Sequence, residues 1–165
     1  MAGKKLSSVL AVLALALVVT ASASPLSAPQ VIRLLDVTGT EATDPPNLFS
    51  RNAPPAVGGR LFFTDTLYAW AGTKRGDRVG RLEGLCTFTG IAGNAVTASC
   101  TATAFLSAGQ ILIAGSPLFV NGPSNFVVAV VGGTGRYSNA RGWARVRDIG
   151  SEDSGNSSLV FHLVP

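Results

Sequence analysis

The sequence predicts an all-β protein, a closed eight-stranded antiparallel β-barrel. Helical periodicity is almost absent after residue 24, and runs rich in Val, Leu, Phe, Thr and Tyr recur between clusters of Gly, Pro, Asn and Asp. Most connections between these runs are short and turn-like, which suits antiparallel neighbours and not the long crossovers of a parallel sheet. Eight such runs can close on themselves, which removes the sheet edges and leaves an interior that holds side chains or one small ligand.

The N-terminus comes first. Lys4-Lys5 precede an uncharged apolar run from Leu10 to Val19, and Ala21-Ser22-Ala23 forms a small-x-small cleavage pattern. This is the signature of a secretory signal peptide over residues 1–23. A membrane anchor is the alternative, but the run is shorter than the roughly 20 apolar residues a spanning helix needs. The remainder, 24–165, is expected to be a single secreted, extracellular domain with no stable membrane insertion. Two of the 13 basic residues leave with the leader, so the formal charge falls from +4 to +2. With no basic run interleaved with aromatics, nucleic acid is not an expected partner.

The first strand, 30–38, carries the apolar run "VIRLLDV". It is followed by the longest connection, 39–58, which contains Pro45-Pro46 and Pro54-Pro55; a loop of that length in a small domain is usually functional or disordered. The second strand, 59–70, carries "LFFTDTLY". The third and fourth, 78–89 and 95–106, flank the turn signal Gly93-Asn94. If Cys86 faces Cys100, their midpoint is residue 93, inside that turn, and Leu82, Gly84, Cys86 and Phe88 share a face with Val96, Ala98, Cys100, Ala102 and Ala104. An oxidising compartment favours a disulfide between the two cysteines, which would stabilise the fold by about 3 kcal/mol. Two buried free thiols are the alternative. Metal binding has little support with a single histidine, His162.

Strands at 109–115 and 124–131 lead to "VVGGTGRYSNARGWARV", residues 130–146, where four glycines and three arginines interrupt strand-like sequence. The glycines do not open a helix and no phosphate-loop lysine follows, so a tight strand-to-strand turn is the better account. Strands at 140–149 and 157–164 complete the set; His162, in "LVFHLVP", is expected to be an ordinary strand residue. Asn156-Ser157-Ser158 fits the short N-glycosylation pattern.

Chemistry has few carriers. Asp36 and Asp65 sit inside apolar runs, each where a strand turns some side chains inward, and a carboxyl in an apolar cavity has a raised pKa suited to acid or base work. Both acids facing solvent, or paired with arginine, is the competing arrangement. Arg33, Arg60, Arg78, Arg81, Arg141, Arg145 and Arg147 all lie in predicted strands, and an inward one would hold a carboxylate or a ligand oxygen. There is no serine-histidine-acid order and no metal-ligand spacing.

Three separated segments, "GGRLFFTDTLY" (58–68), "RVGRLEGLC" (78–86) and "VVGGTGRYSNARG" (130–142), resemble, in order and spacing, the allene oxide cyclase and dirigent superfamily of β-barrels. The resemblance spans about residues 30–165. It implies a closed antiparallel barrel, commonly trimeric, with an apolar cavity and no cofactor, that steers ring closure or coupling of a reactive hydrophobic ligand mainly by shape. It places Asp36 on the strand-one acid that stabilises charge or handles a proton, and Thr38 and Asp65 on cyclase asparagines that hold an ordered water. Tyr68 closes the cyclase-like segment, Pro45 matches a proline over the cavity mouth, and Arg141 matches the arginine of an Ala-Arg-Gly run. The chain departs from the pattern at two places: Asp65 replaces a neutral amide, and Arg136 stands where several dirigent proteins have a catalytic aspartate.

The expectation is therefore a secreted barrel that binds a hydrophobic small molecule. If it is an enzyme, it is a cofactor-free isomerase or cyclase with Asp36 and Arg141 as its polar pair, Thr38, Pro45, Asp65 and Tyr68 in ligand contact, and no metal. The rival is a non-enzymatic extracellular barrel, which predicts an interior filled with bulky side chains.

Overall fold

The computed structural model describes residues 24–46, 48, 55–120, 125–150 and 155–165, so the leader expected at 1–23 lies outside the described residues. The strand-forming runs become β1 (Gln30–Asp44), β2 (Arg60–Trp70), β3 (Arg75–Ala92), β4 (Ala95–Leu106), β5 (Gly109–Gly115), β6 (Leu118–Phe119), β7 (Asn125–Gly133), β8 (Arg141–Asp148) and β9 (Asn156–Val164). They pair antiparallel in the order β3-β2-β1-β9-β8-β7-β5-β4, and a β3–β4 pairing closes the ring at eight staves. The two-residue β6 adds no ninth stave. It pairs with β4 (Val96 opposite Phe119) in the register β5 already uses (Cys100 opposite Gly115), so β5 and β6 are one strand interrupted at Ser116-Pro117. Pro117 has no amide hydrogen to give the ladder, but its carbonyl still accepts from the Ala98 N–H at 3.2 Å.

The expected strands all form, with one difference that matters for the site. The expected loop 39–58 begins too early: β1 continues to Asp44, because Thr40–Asp44 pair with Thr64–Arg60 of β2. The strand ends at Pro45, where the ladder loses a donor.

The β3–β4 hairpin has the register its cysteines imply. Cys86 lies directly opposite Cys100, their Cα atoms are 4.1 Å apart, and the two form a disulfide. Leu82, Cys86, Phe88, Ala98 and Ala104 are buried on the shared inner face. The ladder shifts by one residue between Phe88 and Gly90, which lets the hairpin bend over the barrel end.

One half of the interior is packed solid. Leu34, Leu67, Ile111, Phe161 and Leu163 fill it, and small residues, Ala104, Ala140 and Ala144, let the opposite walls approach. Leu26 and Tyr137 close this end, with Leu26 fixed by its carbonyl accepting from Asn139 Nδ2 at 2.9 Å. Tyr137 comes from the 3-10 turn Gly135–Tyr137, so the glycine-rich stretch is the β7–β8 connection expected of it. Gly135 has φ +59 and a Cβ there would lie 2.6 Å from the Ala108 carbonyl oxygen, so both backbone and space require glycine.

Replacing Cys86 and Cys100 together by alanine is expected to lower the unfolding free energy by about 3 kcal/mol, measured by urea denaturation, with the β spectrum retained. A loss below about 1 kcal/mol would mean that the hairpin register holds without the bridge.

Candidate functional site

The other half of the barrel is hollow. A chamber of about 210 Å³ lies at the end from which the β1–β2, β6–β7 and β8–β9 connections leave. Its polar wall carries Asp36 and Glu41 from β1, Asp65 from β2, Asp148 from β8 and Ser157 from β9. Facing them are apolar side chains of β4 to β8, among them Ile113, Phe119, Phe126, Val128 and Val146. A second hollow of about 210 Å³ shares Leu61, Cys86 and Phe119 with the chamber and is otherwise lined by Phe88 and Val96, so the apolar side continues along the β3–β4 hairpin toward the open rim.

Strand alternation alone does not bring these acids together. Asp36 faces inward opposite Leu67, and an unbroken strand would then turn residues 38 and 40 inward and Glu41 outward. The β1–β2 register shifts between Val37 and Thr40, so Glu41 comes opposite Phe63 and faces the chamber. At the bulge, the Gly39 N–H donates to Asp65 Oδ1 at 2.9 Å. A Cβ on Gly39 would lie 2.3 Å from the Thr64 carbonyl oxygen, so only glycine lets the strands approach closely enough for that bond. On the far side of β1, Asp36 is opposite Ser157, which is opposite Asp148, and Ser157 Oγ donates to Asp148 Oδ1 at 2.9 Å.

The two central carboxyls differ electrostatically. Burial raises the pKa of Asp65, the Gly39 hydrogen bond opposes the rise, and Glu41 adds to it. Asp36 has no such support: its Oδ1 is buried and without a hydrogen-bond partner among the described residues. Loss of solvation, reinforced by the neighbouring Asp65 charge, pushes its pKa up from 3.8 to about 7. Near neutral pH Asp36 can therefore either give or take a proton.

The other expected site residues fall elsewhere. Arg141 does not pair with Asp36. It is exposed, its Nη1 donates to the Ala140 carbonyl, and it lies opposite Val164, whereas Asp36 lies opposite Ser157. Seven positions along β9 separate the two, about 23 Å at strand rise. The physical reason is parity: Ala140, Gly142, Ala144, Val146 and Asp148 turn inward, so Arg141, Arg145 and Arg147 turn out. Tyr68 is on the outer face of β2, opposite in parity to Asp65, with the Arg75 guanidinium 4.8 Å from its ring centroid. Thr38 is exposed and donates its hydroxyl to the Gly155 carbonyl. Pro45 is exposed beyond the end of β1. Arg136 is exposed in the turn at the packed end, away from the chamber. His162 stacks on Trp143, with centroids 3.7 Å apart, on the outside of the barrel. Glu41, Asp148 and Ser157 were not expected. The inward series Ala144-Val146-Asp148 signals Asp148, whereas Glu41 is hidden by the bulge.

An antiparallel eight-stranded barrel, packed at one end and hollow with an acid-lined wall at the other, defines the class. The chain belongs to the dirigent-like protein family, whose model matches residues 36–164. It is similar to the solved structure of a pyocyanin demethylase, at 25% identity and TM-score 0.62, over 81% of this chain and 99% of that one. It is also similar to an exo-specific intermolecular Diels-Alderase (19% identity, 82% of this chain and 96% of that one, TM-score 0.57) and to a pterocarpan synthase dirigent protein (20%, 82% and 81%, TM-score 0.57). These two likenesses are of fold. No curated protein sequence matches the chain.

The buried Asp36 predicts a pH-dependent stability. The folded protein holds the Asp36 proton to about pH 7 and the unfolded chain releases it near 3.8, so stability falls as pH rises across that window and levels off above it. Asp36→Asn removes this loss. The variant is expected to match the parent below pH 4 and to exceed its stability by about 2–4 kcal/mol above pH 7, in urea unfolding series. A difference independent of pH would assign the effect to packing.

Proposed function

We propose that the protein is an exported barrel that admits a hydrophobic small molecule to its chamber and steers its cyclisation or isomerisation, with Asp36 exchanging the proton. The observation that carries this is Asp36: a buried, unpartnered carboxyl with a pKa of about 7, at the edge of an apolar hollow. Such a rearrangement balances with a proton alone. The carboxyl delivers its proton to one position of the ligand, and the carboxylate takes one back from another, leaving the composition unchanged. Asp65, fixed by Gly39, stays in place to hold Asp36 high, and the apolar wall confines the ligand to few conformers.

Family membership and the likeness to a barrel named as a demethylase support an enzymatic reading. The non-enzymatic rival requires an interior filled by bulky side chains, and a chamber of about 210 Å³ weighs against it. Export is supported by the leader sequence and by the disulfide. A homotrimer, as the resemblance implies, is supported by exposed apolar residues, Leu112, Val127, Val131 and Trp143, on the outer face of β5, β7 and β8.

The neutral fluorophore N-phenyl-1-naphthylamine is expected to bind the native protein, and Val146→Phe, which fills the chamber wall, to lower its affinity at least tenfold with an unchanged circular dichroism spectrum. Binding that survives the filled chamber would place the hydrophobic site elsewhere. Light scattering after gel filtration is expected to give three times the mass of the processed chain; a monomer would remove the trimer.

A further inference from the structure

Charge is segregated across the barrel wall. Arg33, Arg60, Arg78, Arg81, Arg141, Arg145 and Arg147 are all exposed, and the ion pairs Arg60–Asp44 and Arg81–Glu83 both lie on exposed side chains. The chamber lining holds four carboxyl groups, Asp36, Glu41, Asp65 and Asp148, and no lysine, arginine or histidine among the described residues. Opposite them, Phe126 meets Phe119 edge to face at 5.5 Å and forms an apolar platform with Val128 and Val146.

From this arrangement, and resting on the reading that the chamber takes a hydrophobic small molecule, we infer that its ligand is an amphipathic organic cation. A protonated amine or cationic ring nitrogen would lie against Asp36, and an aromatic or hydrocarbon body against Phe119, Phe126 and Val128.

Three observations converge on this class. The buried Asp36 Oδ1 lacks a partner and accepts a hydrogen bond from any N–H donor placed beside it. An anionic ligand would meet four carboxyls, of which Asp65 is buried and Asp36 has a buried Oδ1, so water screens these two poorly; a neutral ligand without a donor would leave Asp36 Oδ1 unsatisfied. The acids come from β1, β2 and β8 and are spread along the wall, and among the described residues no three His, Cys, Asp or Glu converge as metal ligands would. An extended organic cation fits that spread better than a point charge.

Isosteric probes of differing charge test this: 1-naphthylmethylammonium, 1-naphthalenemethanol and 1-naphthoate, titrated calorimetrically into the native protein at pH 7.5. The cation is expected to bind at least tenfold more tightly than the alcohol, and the alcohol more tightly than naphthoate. Asp36→Asn is expected to shrink the cation preference to less than threefold, and Val146→Phe to weaken all three probes together. Equal or tighter binding of the alcohol, or a preference untouched by Asp36→Asn, overturns the cation assignment while the hydrophobic chamber stands. If none of the three probes binds, the chamber reading fails and the assignment fails with it.

Discussion

The one-residue bulge in β1 at Thr38-Gly39 is the feature on which the site depends. Upstream of it Asp36 faces inward; downstream, where simple alternation would turn Glu41 out, the shifted register turns it in. The same bulge aims the Gly39 N–H at Asp65 and sends the Thr38 hydroxyl outward to Gly155. Two strands thus bring three carboxyls to one wall, and the amide that the bulge frees from the ladder becomes the hydrogen bond that holds one of them. Because Gly39 lies against the Thr64 carbonyl, the arrangement tolerates no side chain at that position. A local backbone irregularity sets the electrostatics of the chamber.

Holding those acids inside costs stability, and the rest of the barrel offsets the cost. An ionised carboxyl near an apolar wall loses solvation, and Asp36 relieves part of this by keeping its proton to about pH 7. The packed half, with Phe161, Leu159 and Leu163 fully buried, supplies cohesion that does not depend on the chamber, and the Cys86–Cys100 bridge ties the hairpin that forms part of the chamber wall. One half of the interior is filled by apolar packing and the other is left hollow, the arrangement that the proposed proton exchange would need. The exposed arginines lie outside the chamber lining and leave the acidic wall within unneutralised.

The fold was legible because its signals are local and periodic. Eight β-rich runs, a turn at Gly93-Asn94 and the Cys86–Cys100 midpoint were enough to fix the β3–β4 register, and every expected strand formed. The inward placement of Asp36 and Asp65 was also readable as one of two faces. Arg141 could have been placed correctly from its own strand, since Gly142, Ala144 and Val146 mark the inner face and leave the arginines outside. Glu41 could not: its orientation depends on a bulge whose Gly39 amide bonds a residue 26 positions away, and no periodicity encodes that. The likeness to known barrels carried Thr38, Tyr68 and Pro45 into the expected site by position, but position along a strand does not fix which way a side chain points.

A closed barrel gives such a chamber a property that an open cleft lacks. Asp36 is laddered on both edges of its strand, opposite Leu67 of β2 and Ser157 of β9, so it cannot move without stretching two ladders. The backbone that carries Asp36 is therefore set before a ligand would enter, and under the proposed function the ligand would do most of the adjusting. In a hollow of about 210 Å³ that restriction would fall on the torsions of the proposed ligand, which would decide the face on which a bond forms. For the proposed isomerisation, one carboxyl near its pKa would then suffice, because the geometry around it would already have selected the conformer on which it acts.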